Sequence, residues 1–170
     1  MAVVQRVARL RVPLGFLTGA CVLYFADPTW RTLAAGAAAG GIGEAIRIWA
    51  AGHLEKSREV TRSGPYRYTR HPLYVGSSIM AAGVAIGAGS WLVAAIVAIY
   101  MGATITAAVR TEEAFLRSRF GDEYDAYAAR RAPEMTRRFS FARAWRNREY
   151  RAVGGLLLAI LVLGLKAALR

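Results

Sequence analysis

Five apolar stretches, each near the length needed to cross a bilayer, alternate with blocks of arginine and lysine. That alternation leaves the chain few folds to choose from. The stretches run roughly Val12 to Ala26, Leu33 to Ala51, Pro72 to Ala88, Trp91 to Val109 and Ala152 to Leu169. A helix needs about 20 apolar residues to cross the hydrocarbon core, where every backbone N–H and C=O must be satisfied within the protein. The first stretch is short and would draw on Val3 to Leu10, or on local thinning of the bilayer, to complete its crossing. It lacks a small-residue cleavage site and reads as a span rather than a leader. In the fifth, Lys166 is the one charge, close enough to the end to snorkel.

The basic blocks orient these spans. Arg6, Arg9 and Arg11 precede the first, and Lys56, Arg58, Arg62, Arg67 and Arg70 fill the loop between the second and third. Residues 110–151 hold the largest block, whereas the turns around Asp27 and Gly89 carry almost no positive charge. Every block therefore falls on one side, which the positive-inside rule makes cytoplasmic, with the N-terminus inside and the C-terminus outside. The expected fold is all-α. It is a polytopic membrane helical bundle of about five transmembrane helices plus a cytoplasmic amphipathic helical segment, forming one domain over 1–170.

Composition matters at two points. The net charge of +12 would by itself suit nucleic acid, but 55% of residues are hydrophobic and the basic ones lie between spans. Membrane lipids are thus expected partners, and no nucleic acid is. A single cysteine, Cys21, allows no internal disulfide. The two histidines have no cysteine cluster beside them, so no metal site is expected. Phosphate-loop and dinucleotide glycine fingerprints are missing, and no nucleophile elbow surrounds Ser57, Ser63, Ser77 or Ser78.

Polar chemistry concentrates in two segments on the cytoplasmic side. In GPYRYTRHPLYVG, residues 64–76, Pro72 suits the first position of a helix, which puts His71 at or beside its N-cap. The free N–H groups there favour a carboxylate or phosphate. Arg67, Arg70 and His71 add positive charge, and Tyr66, Tyr68 and Tyr74 offer flat faces to an aromatic ring. The same residues also suit a simple anchoring belt at the membrane interface. The second segment, RTEEAFLRSRFGDEYDAYAARRAP, places Leu116, Phe120, Tyr124 and Tyr127 at helical spacing, as in a helix lying on lipid, with a break near Gly121-Asp122. Arg110, Glu112 and Glu113 sit where the fourth span leaves the membrane, and these carboxylates could pair with arginines or hold a ligand's ammonium group. Within the second span, Glu44 and Arg47 form either a self-compensating pair or a functional site, and His53 fits both. Gly36/Gly40 and Gly83/Gly87 would let the second and third spans approach closely.

RIWAAGHLEKSREV, GPYRYTRHPLYVG and EEAFLRSRFGDEYDAYAARRAP together resemble the isoprenylcysteine carboxyl methyltransferases and their bacterial, phospholipid-methyltransferase-like relatives. The likeness covers residues 47–133 and leaves the C-terminal span, 152–169, as an addition. It implies an integral membrane enzyme, in the inner membrane of a bacterium, that uses S-adenosyl-L-methionine at the cytoplasmic face. The partner it implies is a lipophilic small molecule or a lipidated substrate. Carried over by position, Tyr66, His71, Pro72, Leu73 and Tyr74 match the cofactor-contacting segment, with Glu59 and Val60 near a contacting loop backbone. Glu112 or Glu113 matches the acidic contact, and Arg110 and Arg70 are the candidate catalytic arginines. Carboxyl O-methylation is the leading expectation. Lipid head-group N-methylation is the alternative within the family, and an NAD(P)H-dependent membrane reductase of the sterol-reductase type is the alternative outside it.

Overall fold

The computed structural model describes residues 2–169, with side chains from residue 13 onward, so Arg6, Arg9 and Arg11 lie outside the described side chains. The helices are α1 (Ala2–Phe25), α2 (Trp30–Ala51), α3 (Pro72–Gly87), α4 (Trp91–Phe120), α5 (Asp122–Ala128), α6 (Phe141–Arg146) and α7 (Tyr150–Ala168), with a 3₁₀ turn at Gly64–Arg67. There is no strand among the described residues.

The helices α4 and α7 are long and apolar enough to cross a membrane. Among the described residues, Pro13–Phe25 and Pro72–Gly87 are apolar but shorter, so two helices rather than five meet the requirement there by length and composition. In α2 the shortfall has a local cause: glycines dilute its hydropathy, and Glu44 and Arg47 lie within it.

Glycines set the tightest packing in the molecule. A Cβ on Gly36 would lie 2.4 Å from the Gly83 carbonyl oxygen, and one on Gly83 would lie 2.4 Å from the Gly40 backbone nitrogen. The ladder continues to Gly43, where a Cβ would meet the Met80 nitrogen at 2.5 Å. The α2–α3 contact is therefore backbone against backbone, as the small-residue spacing predicts. At the end remote from the basic loops, Val22, Leu33, Ala88, Val93, Val97 and Leu163 form a core joining α1, α2, α4 and α7 to the α3–α4 turn. Gly89 makes that turn at φ +65, and its neighbour Ala88 accepts a hydrogen bond from the Asp27 N–H at 2.7 Å. At the start of α2, Thr29 and Thr32 cap each other reciprocally.

Two expectations about the acidic segment change. Beyond the apolar stretch that ends at Val109, the fourth helix runs unbroken for 30 residues to Phe120, where the expected break at Gly121 follows, so Glu112 and Glu113 ride on the same rigid rod as the span. After Gly121, at φ +49, α5 turns back toward the Gly64–Arg67 loop instead of lying on lipid. Tyr124 is 1% exposed, and the Tyr127 hydroxyl donates to the Tyr66 carbonyl oxygen at 2.8 Å. Its apolar stripe is spent on the protein's own interior. Asp122 is the first residue of α5 rather than its cap.

Candidate functional site

A cavity of about 410 Å³ lies among the Leu54–Thr61 loop, Tyr66, Arg70 and Tyr74 on one side, α4 on another, and Tyr127 of α5. Helix α4 contributes Thr104, Ala108, Thr111, Glu112, Phe115 and Leu116. These positions recur at spacings of three and four, so they share one helical face. The helix turns about 100° per residue, which puts Arg110 on a different side from Glu112. Arg110 is exposed and takes no part in the cavity wall.

At the foot of α3 the chain does what its sequence predicts. His71 occupies the N-cap and Pro72 the first helical position, where a missing N–H costs nothing. The His71 side chain does not cap its own helix; Nε2 lies 3.0 Å from Glu113 Oε1. Arg70 approaches the same oxygen at 3.0 Å, and Arg117 reaches the other oxygen at 3.6 Å. Glu113 is thus consumed by its neighbours. Glu112 differs: among the described residues its carboxylate has one ionic neighbour, His71 Nδ1 at 3.9 Å, and it is 42% exposed and faces the cavity. Along the continuous helix the two acids point about 100° apart, so Glu112 lines the cavity while Glu113 turns to Arg70, His71 and Arg117.

The structure brings Glu59, Val60, Tyr66, Arg70, Tyr74 and Glu112 to one cavity. His71, Pro72, Leu73 and Glu113 stand behind it and do not line it. Pro72 is buried, and the Leu73 carbonyl accepts from the Ser77 hydroxyl at 2.8 Å. Tyr68 is 74% exposed and tilts toward Trp49 instead. The Glu59 carboxylate is already engaged, accepting from Arg137 at 2.6 Å and from Thr61 at 3.2 Å. Burial and the nearby Glu112 carboxylate push the Tyr66 phenol well above its usual range, so it stays neutral. Burial, then Tyr124, raises Tyr127 to about 12.

Beside this cavity runs a groove of about 990 Å³ between α1, α3, α4 and α7. It shares Tyr74, Thr104 and Ala108 with the first, and among the described residues no charged side chain lines it. A turn above Tyr74, Ser77 lines the groove and accepts a hydrogen bond from Arg47. Arg47 in turn donates to Glu149, the residue before α7, at 2.6 Å, with Glu44 at 3.8 Å. The Glu44/Arg47 pair is therefore part of a buried tie among α2, α3 and α7. His53 serves the loop, with Nδ1 3.1 Å from the buried Ser63 hydroxyl.

Sequence reasoning missed Thr104, Ala108 and Thr111. Small and hydroxyl residues recurring along one face of an apolar helix were the available signal. It also missed Tyr127 as a cavity residue, because a stripe facing lipid and one facing the protein's interior have the same period.

Residues 41–123 match the model of the phospholipid methyltransferase family. The chain is 32% identical over 85 residues to a protein-S-isoprenylcysteine O-methyltransferase of Schizosaccharomyces pombe, a match covering 50% of this chain and 36% of the relative. It is 34% identical over 99 residues to the cobalt-zinc-cadmium resistance protein CzcN of Cupriavidus metallidurans, covering 57% and 45% respectively. Against the nickel-cobalt-cadmium resistance protein NccN of Alcaligenes xylosoxydans it is 35% identical over 100 residues, covering 58% and 46%. The chain thus spans less than half the length of each of these relatives. No solved structure matches the chain significantly. The resemblance read from the motifs is borne out by the family match and by the yeast methyltransferase.

Proposed function

Proceeding from that likeness, we propose that this chain is an integral membrane methyltransferase that moves the methyl group of S-adenosyl-L-methionine to a lipophilic acceptor, a carboxylate first among the candidates. One observation carries the reading. A cavity with charged walls at the basic end of the bundle shares Tyr74, Thr104 and Ala108 with a groove between the apolar helices that is uncharged among the described residues. A polar donor from water and an acceptor from lipid would meet at that shared wall. The volume of about 410 Å³ falls in the usual range of small-molecule sites, about 300–1,000 Å³.

The donor set fits the molecule's chemistry. Glu112, the acid facing the cavity, takes the ammonium group, and a charge-assisted hydrogen bond of this kind is among the stronger ones. Arg70, which lines the cavity, favours the carboxylate. Tyr66 and Tyr74 offer ring faces to the adenine, and the backbone at Glu59 and Val60 closes the wall. His71 and Glu113 act from behind, fixing Arg70 and the helix start to α4. In this reading Arg110 has no catalytic part, and Arg70 is the arginine at the site.

When bound, S-adenosyl-L-methionine supplies a methyl group on a cationic sulfur, which an ionised carboxylate attacks without a general base. The protein's work is then orientation, which can contribute about 7–11 kcal/mol, and exclusion of water at Ala108 and Tyr74. In the membrane, α1, α2, α3, α4 and α7 act as five spans, the glycine ladder burying the polar part of α2 against α3. The basic loops face the cytoplasm of a bacterial cell, and the C-terminus lies outside.

Calorimetry in detergent tests this reading, with S-adenosylhomocysteine in one titration and NADPH in another. The expected result is binding of the homocysteine nucleoside alone. Binding of NADPH without any response to S-adenosylhomocysteine would replace the methyltransferase with a nicotinamide-dependent reductase.

A further inference from the structure

Residues 137–147 lie beyond the stretch matched to the family and have no part in the cavity wall. Yet they converge on one short piece of backbone. Asn147 Nδ2 donates to the carbonyl oxygens of Ala51 and Leu54, both at 2.9 Å. Arg143 and the Ser140 N–H both donate to the Gly52 carbonyl, and Arg137 Nη1 donates to the His53 carbonyl at 3.1 Å. These acceptors lie at and just beyond the C-terminus of α2, where a helix leaves carbonyls without intrahelical partners.

The same arginines then take two carboxylates further along the loop. Glu55 accepts from Arg143 at 2.9 Å and Arg146 at 3.1 Å, and Glu59 accepts from Arg137 at 2.6 Å. The Phe139 ring covers Gly52 so closely that a Cβ there would lie 2.1 Å from it. The loop has no helix or strand between Ala51 and Gly64, Ser57 sits at φ +59, and its internal ties are short-range ones such as the Glu55 N–H to Thr61 at 3.2 Å and His53 to Ser63 at 3.1 Å. Leu54, Glu59, Val60 and Thr61 of this loop form one wall of the cavity.

We propose that residues 137–147 are a clamp that sets the position of the cavity wall, with Arg137 as its principal positioning residue. Arg137 reaches the loop twice, at the His53 carbonyl and at the Glu59 carboxylate, so one planar guanidinium fixes the distance between the two ends of the wall. Ordinary surface ion pairs contribute little. This one is sheltered, its side chains 20% and 26% exposed, and the Arg143–Glu55 pair is similar at 15% and 21%. The Arg143 hydrogen bond also holds the Glu55 carboxyl below its ordinary range. Through the clamp, α6 and the residues around it anchor the loop to the start of α7.

The consequence for affinity rests on the cofactor reading above, but the clamp itself does not. Its test uses the full chain in detergent with Arg137→Glu, Glu59→Arg and the double swap, and Arg137→Gln as the milder variant should the reversal fail to fold. Hydrogen exchange of amides 54–61 is followed without ligand, and S-adenosylhomocysteine affinity is measured by calorimetry. Arg137→Glu should speed exchange in the loop and weaken affinity about tenfold or more, equivalent to about 1.4 kcal/mol, and the swap should recover much of both. Loop exchange equal to wild type in both Arg137 variants overturns the clamp. A loosened loop with unchanged affinity overturns the positioning role. If wild type itself binds no S-adenosylhomocysteine, the cofactor reading fails separately, and loop exchange still decides the clamp.

Discussion

Replacing Glu112 with Gln, beside the same change at Glu113, separates a ligand contact from a scaffold contact using two adjacent residues. Glu113 carries the denser network: His71 and Arg70 at 3.0 Å, Arg117 at 3.6 Å, and a side chain 17% exposed. A neutral amide keeps the size and one hydrogen bond but loses its charge against two arginines. Bonds to charged groups are worth about 1.5–3 kcal/mol each, and the arginines remain partly hydrated, so a stability loss of about 1–3 kcal/mol is expected. Glu112 has one ionic neighbour among the described residues, His71 at 3.9 Å, and is 42% exposed, so its removal should leave the melting temperature unchanged. If it holds the ligand's ammonium group, one charge-assisted bond is lost, about 1.5 kcal/mol at this exposure and about tenfold in affinity. Thermal melts followed by circular dichroism and calorimetry with S-adenosylhomocysteine read the two effects independently. Glu113→Gln should lower both stability and affinity, and Glu112→Gln affinity alone. Unchanged affinity in Glu112→Gln, or a melting loss as large as that of Glu113→Gln, would refute the division of labour.

Two further predictions concern the scaffold. Gly83→Ala places a methyl 2.4 Å from the Gly40 nitrogen and 2.6 Å from the Gly36 oxygen, so α2 and α3 must part. Overpacking of this kind costs about 1–3 kcal/mol, whereas Gly154→Ala, with nothing within 4 Å, should melt no lower than wild type. The second concerns His53, whose pKa is held below its ordinary 6.5 by burial and then by Arg143, Arg137 and Arg67. The unfolded chain takes up its proton first as pH falls below 6.5, so stability present above that pH is lost through the depressed folded pKa. Melting temperatures compared at pH 7.5 and 5.5 should fall in wild type and fall less in His53→Gln; equal slopes would remove His53 as the cause.

What the sequence made legible follows from what is local. The N-cap at His71 and the helix start at Pro72 are written in adjacent residues, and the structure has both. The α2–α3 approach is written in glycine spacing, and it extends beyond the predicted pairs to Gly43 and, two turns from Gly83, to Gly76. Span count is less legible, because α2 combines glycine, Glu44 and Arg47 in one helix and packing rather than hydropathy accounts for them. The division between Glu112 and Glu113 depends on which face α4 turns to the cavity, and neither hydropathy nor charge spacing reports that face. The partners of Glu55, Glu59 and the end of α2 come from 78 to 96 residues away, at Arg137, Arg143, Arg146 and Asn147. No periodicity or local spacing reports such a contact.

The central claim is transfer of a methyl group to something lipophilic, and labelled S-adenosyl-L-methionine tests it most directly. The full chain, reconstituted in vesicles of total bacterial lipid, is incubated with the methyl-labelled compound and extracted into organic solvent. The account predicts label in the organic phase, lost in Glu112→Gln, and released as methanol by mild base because the product is a carboxyl ester. Base-stable label would move the acceptor to a head-group amine. Protein that binds S-adenosylhomocysteine yet leaves the organic phase unlabelled across lipid and lipidated-peptide acceptors would contradict the account.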